Sequence, residues 1–176
     1  MRTGAFETFR GKGTCGDSCG QVLLQVAGLG GRLHLAQGDV LDNPEFAAAR
    51  KMIQESQEAI IREDIRLTAA EEADFWPLYE RYRADTLPVR DRYVMLIADY
   101  MRQYESGILT DDYAKEMIDG YFDVKGDLLK IRKRYVRRFA KVLPMLKVAR
   151  FYQLENKMTA DVEAELALLV PLVEAH

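Results

Sequence analysis

Histidine, serine and cysteine are scarce in this chain, and that scarcity removes most routes to nucleophilic or metal-assisted catalysis. The histidines are His34 and His176, the serines Ser18, Ser56 and Ser106, and the cysteines Cys15 and Cys19. A Ser/His/Asp or Cys/His arrangement needs a base held beside its nucleophile, and no histidine stands between residues 35 and 175. Helical di-metal carboxylate sites use Glu-x-x-His pairs, which are absent. Cys15 and Cys19 with His34 fall short of the four ligands of a zinc site. No cofactor and no metal are therefore expected. A pair of carboxylates acting alone stays open, because the chain holds 28 acids. Long apolar runs are also missing: nothing approaches the roughly 18–20 residues of a membrane span.

Glycine and proline are unevenly spread. Nine of the twelve glycines fall in residues 1–41, a density that disfavours helix and strand alike. Gly11-Lys12-Gly13-Thr14 invites a phosphate-loop reading, which fails because no glycine stands five residues before Gly11. Arg2, Arg10 and Lys12 ahead of an uncharged Ser18–Gly31 stretch sketch an export signal, but glycine and glutamine dilute it and Arg32 interrupts it. The division expected is a leader over 1–41, disordered or a degraded or misassigned signal region, and one helical domain over 42–176.

What the chain has is helical punctuation. Asn43-Pro44-Glu45 is a start signal: a capping side chain, proline at the first helical position, then an acid. Thr68-Ala69-Ala70-Glu71 matches a capping box. Phe75, Leu78, Tyr79, Tyr82, Val89, Tyr93, Leu96, Tyr100 and Tyr104 follow at helical spacing, which predicts a helix over 69–105 with bends at Pro77 and Pro88. Ser106-Gly107 ends it. Thr110 caps a third helix expected to reach Val142, and a fourth covers about 145–169. No segment alternates with period two. The fold expected is all-α: about four helices in elongated, bent hairpins. A helix of this length spans roughly 55 Å at about 1.5 Å per residue, so its apolar stripe must pair with another hairpin or with a second subunit, and a homodimer is expected.

Charge is the last asset. Residues 125–150 carry ten Lys/Arg against the single Asp127, in a chain of formal net charge −3. Lys130, Lys133, Arg134, Arg137, Arg138 and Lys141 fall on one arc of the third helix, opposite Leu128, Ile131, Tyr135, Phe139 and Val142. Arg132 points into the apolar side, to pair with an acid or to snorkel to water. Such an arc is either a solvated outer face or a binding surface, and its density of unneutralised cations favours a partner. Unfolded or acidic polypeptide suits it best, given nine tyrosines and seven methionines. The sequence pI near 5.5 disfavours nucleic acid. The alternative kept is a cytoplasmic helical adaptor or nucleic-acid-binding module using the same helix.

Leu67-Thr68-Ala69-Ala70-Glu71 with Phe75-Trp76-Pro77-Leu78-Tyr79-Glu80-Arg81-Tyr82-Arg83 resembles the LTxxQ segment of the Spy/CpxP-like family of bacterial envelope proteins. Leu109-Thr110-Asp111-Asp112-Tyr113 is similar to a second copy of the motif, and Val142-Leu143-Pro144 with 149–157 is similar to the closing helix of an uncharacterised branch. Glu71 and Tyr113 stand where the motif has glutamine. The resemblance implies a periplasmic, all-helical, often dimeric protein that acts as an ATP-independent chaperone or as the partner of an envelope-stress sensor. The matching Leu67, Thr68, Glu71, Leu109 and Thr110 imply capping and hairpin geometry rather than client contact.

Overall fold

The computed structural model describes residues 39–173, so what was read for Cys15, Cys19, His34 and the leader up to residue 38 lies outside the described residues. Within them all regular structure is helical: α1 (Asp39–Asp42), α2 (Pro44–Ile65), α3 (Ala69–Ser106), α4 (Asp111–Phe139) and α5 (Met145–Leu169). The all-α class is as expected. The turn α1, at the edge of the leader, was not foreseen.

Local chemistry sets each start. Asn43 Oδ1 accepts from the backbone N–H groups of Glu45 and Phe46 at 2.8 and 3.3 Å, with Pro44 at the first helical position. Thr68 Oγ1 accepts from Glu71 N at 3.3 Å while Glu71 Oε2 accepts from Thr68 N at 2.7 Å, the reciprocal pair of a capping box. Thr110 Oγ1 accepts from Tyr113 N at 3.2 Å. At the other end of α3, Gly107 adopts φ 69° and returns its N–H to Tyr104 O, a conformation that suits glycine. Pro77 and Pro88 stand inside α3, and the helix continues through both. Both rings are exposed, so the carbonyls left without an amide partner can reach water.

One boundary moves. α4 ends at Phe139, short of the expected Val142. Pro144 disfavours helical dihedrals at Leu143, and the chain tightens ahead of it: Lys141 N and Val142 N bond three residues back, to Arg138 O and Phe139 O. Lys141 therefore lies in a turn.

Cross-links fix the order of the helices. Arg50–Asp91 at 2.5 Å and Arg83–Glu58 at 4.0 Å run α2 antiparallel to the first half of α3. Arg134–Asp85 and Arg92–Asp127, at 2.7 and 2.5 Å, do the same for α3 and α4. Lys125–Glu163 and Arg132–Glu155 align α4 with α5. The result is an up-and-down arrangement of four long helices, extended by the 38-residue α3. Exposed ion pairs contribute only about 0–1 kcal/mol each, so these links, the buried Arg132–Glu155 pair excepted, set register more than they set stability.

Stability comes from one end. Phe75, Tyr79 and Tyr82 of α3 meet Tyr135 and Phe139 of α4 and Phe151 of α5, with Ile61 and Ile65 of α2 closing the cluster. Ring centroids lie 4.8 Å apart for Phe139–Phe151 and 5.4 Å for Phe75–Phe139. Burial pushes the Tyr79 hydroxyl up to about 12. Trp76 sits at the rim under the Arg62 guanidinium, 3.7 Å from ring centroid to Cζ.

Candidate functional site

The basic run meets two fates. Six of its ten cations have carboxylate partners within the molecule: Lys125 with Glu163, Lys130 with Asp127, Arg132 with Glu155, Arg134 with Asp85, Lys147 with Glu71 and Arg150 with Asp64. Arg138 lies over the Tyr135 ring at 4.7 Å. Lys133, Arg137 and Lys141 are exposed and have no ion-pair partner among the described residues.

The six-residue arc read from the sequence is corrected accordingly. Lys130 pairs with Asp127 on its own helix, Arg134 cross-links α4 to α3, and Lys141 has left the helix. Asp85 explains Arg134, because its Oδ2 also accepts from the Tyr135 hydroxyl at 2.8 Å and so ties the arc to the core. Arg92 first, and then Lys130, hold the Asp127 carboxyl below its ordinary range. What remains open to a partner is Lys133, Arg137, Arg138 and Lys141. Apolar groups flank them: Leu129 is 52% exposed one turn earlier, and Met145 and Leu146 stand exposed just past the turn, Leu146 at 87%.

A second cluster was not foreseen. Glu155 of α5 is only 6% exposed. The Tyr82 hydroxyl donates to its Oε1 in a short hydrogen bond, Arg90 donates to the same oxygen at 3.3 Å, and Arg132 Nε lies 3.6 Å from Oε2. Burial, and then Glu155, drive the Tyr82 phenol far above its usual range. Burial opposes the charge on Arg132, yet Glu155 and Tyr82 outweigh it and hold that guanidinium above its ordinary value. Arg132 thus pairs with an acid, one of the two outcomes expected of a cation on the apolar side. It further donates to Thr159 Oγ1 at 3.3 Å, and its carbonyl accepts from the Tyr152 hydroxyl at 3.0 Å.

Beside this cluster lies a cleft of about 410 Å³ between α4 and α5, lined by Arg132, Ala149, Tyr152, Gln153, Glu155 and Asn156. Its polar atoms are one balanced ion pair, one phenol and two amides. Arg132 Nε and Glu155 Oε2 lack hydrogen bonds, but they face each other as an ion pair at 3.6 Å. The arrangement fastens α5 to α3 and α4. Among the described residues no group of three or more His, Cys, Asp or Glu side chains could hold a metal ion, and no helix is long and apolar enough to cross a membrane.

The motif residues do what capping chemistry requires. Thr68 and Glu71 form the box, and Glu71 Oε2 also accepts from Lys147 Nζ of α5 at 2.5 Å, so the α3 start is tied to α5. Lys147 first, and then the Thr68 backbone N–H, lower the Glu71 carboxyl from its ordinary value. Leu67 packs against the aromatic core. Leu109 is half-buried beside the Thr110 cap.

No protein-family model, curated protein or solved structure matches the chain.

Proposed function

We propose that this chain is a non-enzymatic, periplasmic chaperone-like or envelope-stress-modulating protein of the Spy/CpxP-like kind, which binds unfolded or acidic polypeptide on the outer face of α4 and the turn after it. One observation carries the reading: Lys133, Arg137 and Lys141 are exposed, unneutralised by any carboxylate of the described residues, and flanked by exposed Leu129 and Leu146. Cations beside apolar groups suit a chain that presents carboxylates and side chains together. The compartment rests on the resemblance of the Leu67–Glu71 and Leu109–Tyr113 segments alone.

Polypeptide is preferred to nucleic acid on charge layout. A duplex needs phosphate contacts along a continuous basic track. The first half of α4 instead presents Asp111, Asp112, Glu116, Asp119 and Asp123, which repel a long polyanion lying along the helix.

The test is an aggregation assay with a chemically unfolded client, followed by light scattering. Lys133→Glu, Arg137→Glu and Lys141→Glu are combined, leaving Arg134 intact because its reversal would face Asp85. Protection should fall severalfold while the far-ultraviolet circular dichroism stays unchanged. Undiminished protection removes this surface as the binding site. Salt-sensitive retention on duplex DNA, with no effect on aggregation, favours the nucleic-acid alternative.

A further inference from the structure

The acidic half of α4 is as open as the basic half. Asp111, Asp112, Glu116, Asp119 and Asp123 are exposed, and none has an ion-pair partner among the described residues. Acids in the first turn complement the positive end of the helix dipole, an effect that fades beyond that turn. It accounts for Asp111 and Asp112 but not for Glu116, Asp119 or Asp123. Lys115, also exposed, stands four residues from both Asp111 and Asp119, a spacing at which opposite charges attract along a helix. The stretch 111–123 still holds five acids against that one lysine.

Between the two halves the face is apolar. Phe122 and Leu129, 66% and 52% exposed, stand on either side of Gly126, and Ile118 continues the strip. A Cβ on Gly126 would meet nothing within 4 Å, whereas one on Gly120 would meet Leu96 Cδ1 at 3.3 Å. Glycine inside a helix is unfavourable relative to alanine, and the close approach of α3 explains it only at 120. At about 100° per residue, Asp119, Asp123, Lys133 and Arg137 lie within about 60° of Gly126. The charges between them are engaged, Lys125 with Glu163 and Asp127 with Arg92 and Lys130. The groups left over fall in order along one line: acids, then apolar side chains about a bare backbone, then cations.

We infer that this face selects polarised segments of unfolded polypeptide: an extended stretch with a basic end over Asp119 and Asp123, apolar side chains against Phe122 and Leu129, and an acidic end over Lys133 and Arg137. The inference rests on the polypeptide-binding reading and narrows its client. Charge complementarity sets the order. A uniformly acidic chain is repelled over the first half of α4, and a uniformly basic one over the second. Gly126 lets the client backbone lie close to the helix between the two apolar side chains. Lys115 bounds the site, because a basic end longer than the Asp119–Asp123 span runs onto it. The spacing follows as well. The centres of the Asp119–Asp123 and Lys133–Arg137 pairs stand roughly 20 Å apart at about 1.5 Å per residue. An extended chain rises about 3.3 Å per residue, so the client's opposite charges lie about six residues apart with apolar residues between them.

The test uses the full chain and labelled synthetic peptides in fluorescence anisotropy. One peptide carries a lysine pair and a glutamate pair with centres about six residues apart, separated by valine, leucine and serine. A second has the same composition with its charges alternating. Two ends held at once should make the first bind about tenfold or more tightly than the second. Asp119→Lys with Asp123→Lys should reverse the preference, losing the polarised peptide and gaining affinity for polyglutamate, which misfolding would not do. Gly126→Gln should weaken the polarised complex severalfold while raising the melting temperature, because glutamine is the better helix former and meets no neighbour. Equal affinity for the two peptides overturns the inference, as does a polarised complex undiminished by either substitution. Polyglutamate that still binds, and is lost on combining Lys133→Glu, Arg137→Glu and Lys141→Glu, then leaves the polypeptide reading standing without it. Failure of both peptides and polyglutamate to bind overturns the inference and that reading together.

Discussion

Substituting Glu155 by leucine tests whether the aromatic hub depends on its one buried carboxylate. The change leaves the Tyr82 hydroxyl without its acceptor, and Arg132 and Arg90 without their shared counter-ion. Removing one partner of a buried ion pair costs about 3–5 kcal/mol. The lower figure applies here, because the Arg90 side chain is 40% exposed and can turn to water. For a chain of this size each kcal/mol shifts the melting temperature by about 2–4 °C, so Glu155→Leu should melt about 6–12 °C lower. Glu155→Gln keeps an acceptor for Tyr82 and should lose less. Arg132→Leu alone should also destabilise, whereas Glu155→Leu with Arg132→Leu should cost less than the sum of the singles by about 1–3 kcal/mol, since the stranded charge goes too. Urea denaturation of the four proteins, with a common m-value, supplies the numbers. A Glu155→Leu protein within about 1 kcal/mol of wild type, with strictly additive singles, would refute the claim that this carboxylate organises the hub.

Two further tests concern the α2–α3 junction. Arg66 closes α2 in the left-handed region at φ 52° without being glycine, so Arg66→Gly should gain about 0.5–1 kcal/mol, read as a higher urea midpoint. Thr68→Ala should lose about 1 kcal/mol with its cap. Lys147, and then the Thr68 backbone N–H, depress the Glu71 carboxyl; its contribution is therefore present above its unfolded pKa of about 4.3 and lost as pH falls through the lower folded value. Lys147→Met should flatten that acid-side loss between about pH 5 and pH 2 in pH-resolved denaturation. An unchanged acid limb would show that Lys147 does not set the shift.

The helix starts were legible because capping is local. Asn43, Thr68 and Thr110 each act on an amide within three residues, and Gly107 needs only its own backbone freedom. The end of α4 was misplaced because the periodic apolar pattern runs on to Val142, whereas Pro144 governs the dihedrals of the residue before it. Glu155 was hidden for a different reason. Its partners Tyr82 and Arg90 stand 73 and 65 residues away, and nothing local separates it from the other acids of the chain. The usable signal was Arg132, a cation on the apolar side of a helix, which requires an acid on whatever packs against it.

The fate of the basic run shows how charge density and binding separate. Counted along the chain, ten cations over 125–150 read as one surface. Counted in space, most of them stitch α4 and α5 to carboxylates of α2, α3 and their own helices, and this is why a basic run over 125–150 coexists with acidic stretches on either side of it. A cation tied at 2.6–2.7 Å to a carboxylate, as Arg150 and Arg134 are, gives a partner little without first losing that bond. Lys133, Arg137 and Lys141 have no such bond to lose among the described residues. Lys133 and Arg137 also stand four residues apart on α4, a spacing at which like charges on a helix repel by a few tenths of a kcal/mol. An acidic segment laid along them relieves that repulsion and breaks no internal pair, so the cations left over after internal pairing mark the face that association can use.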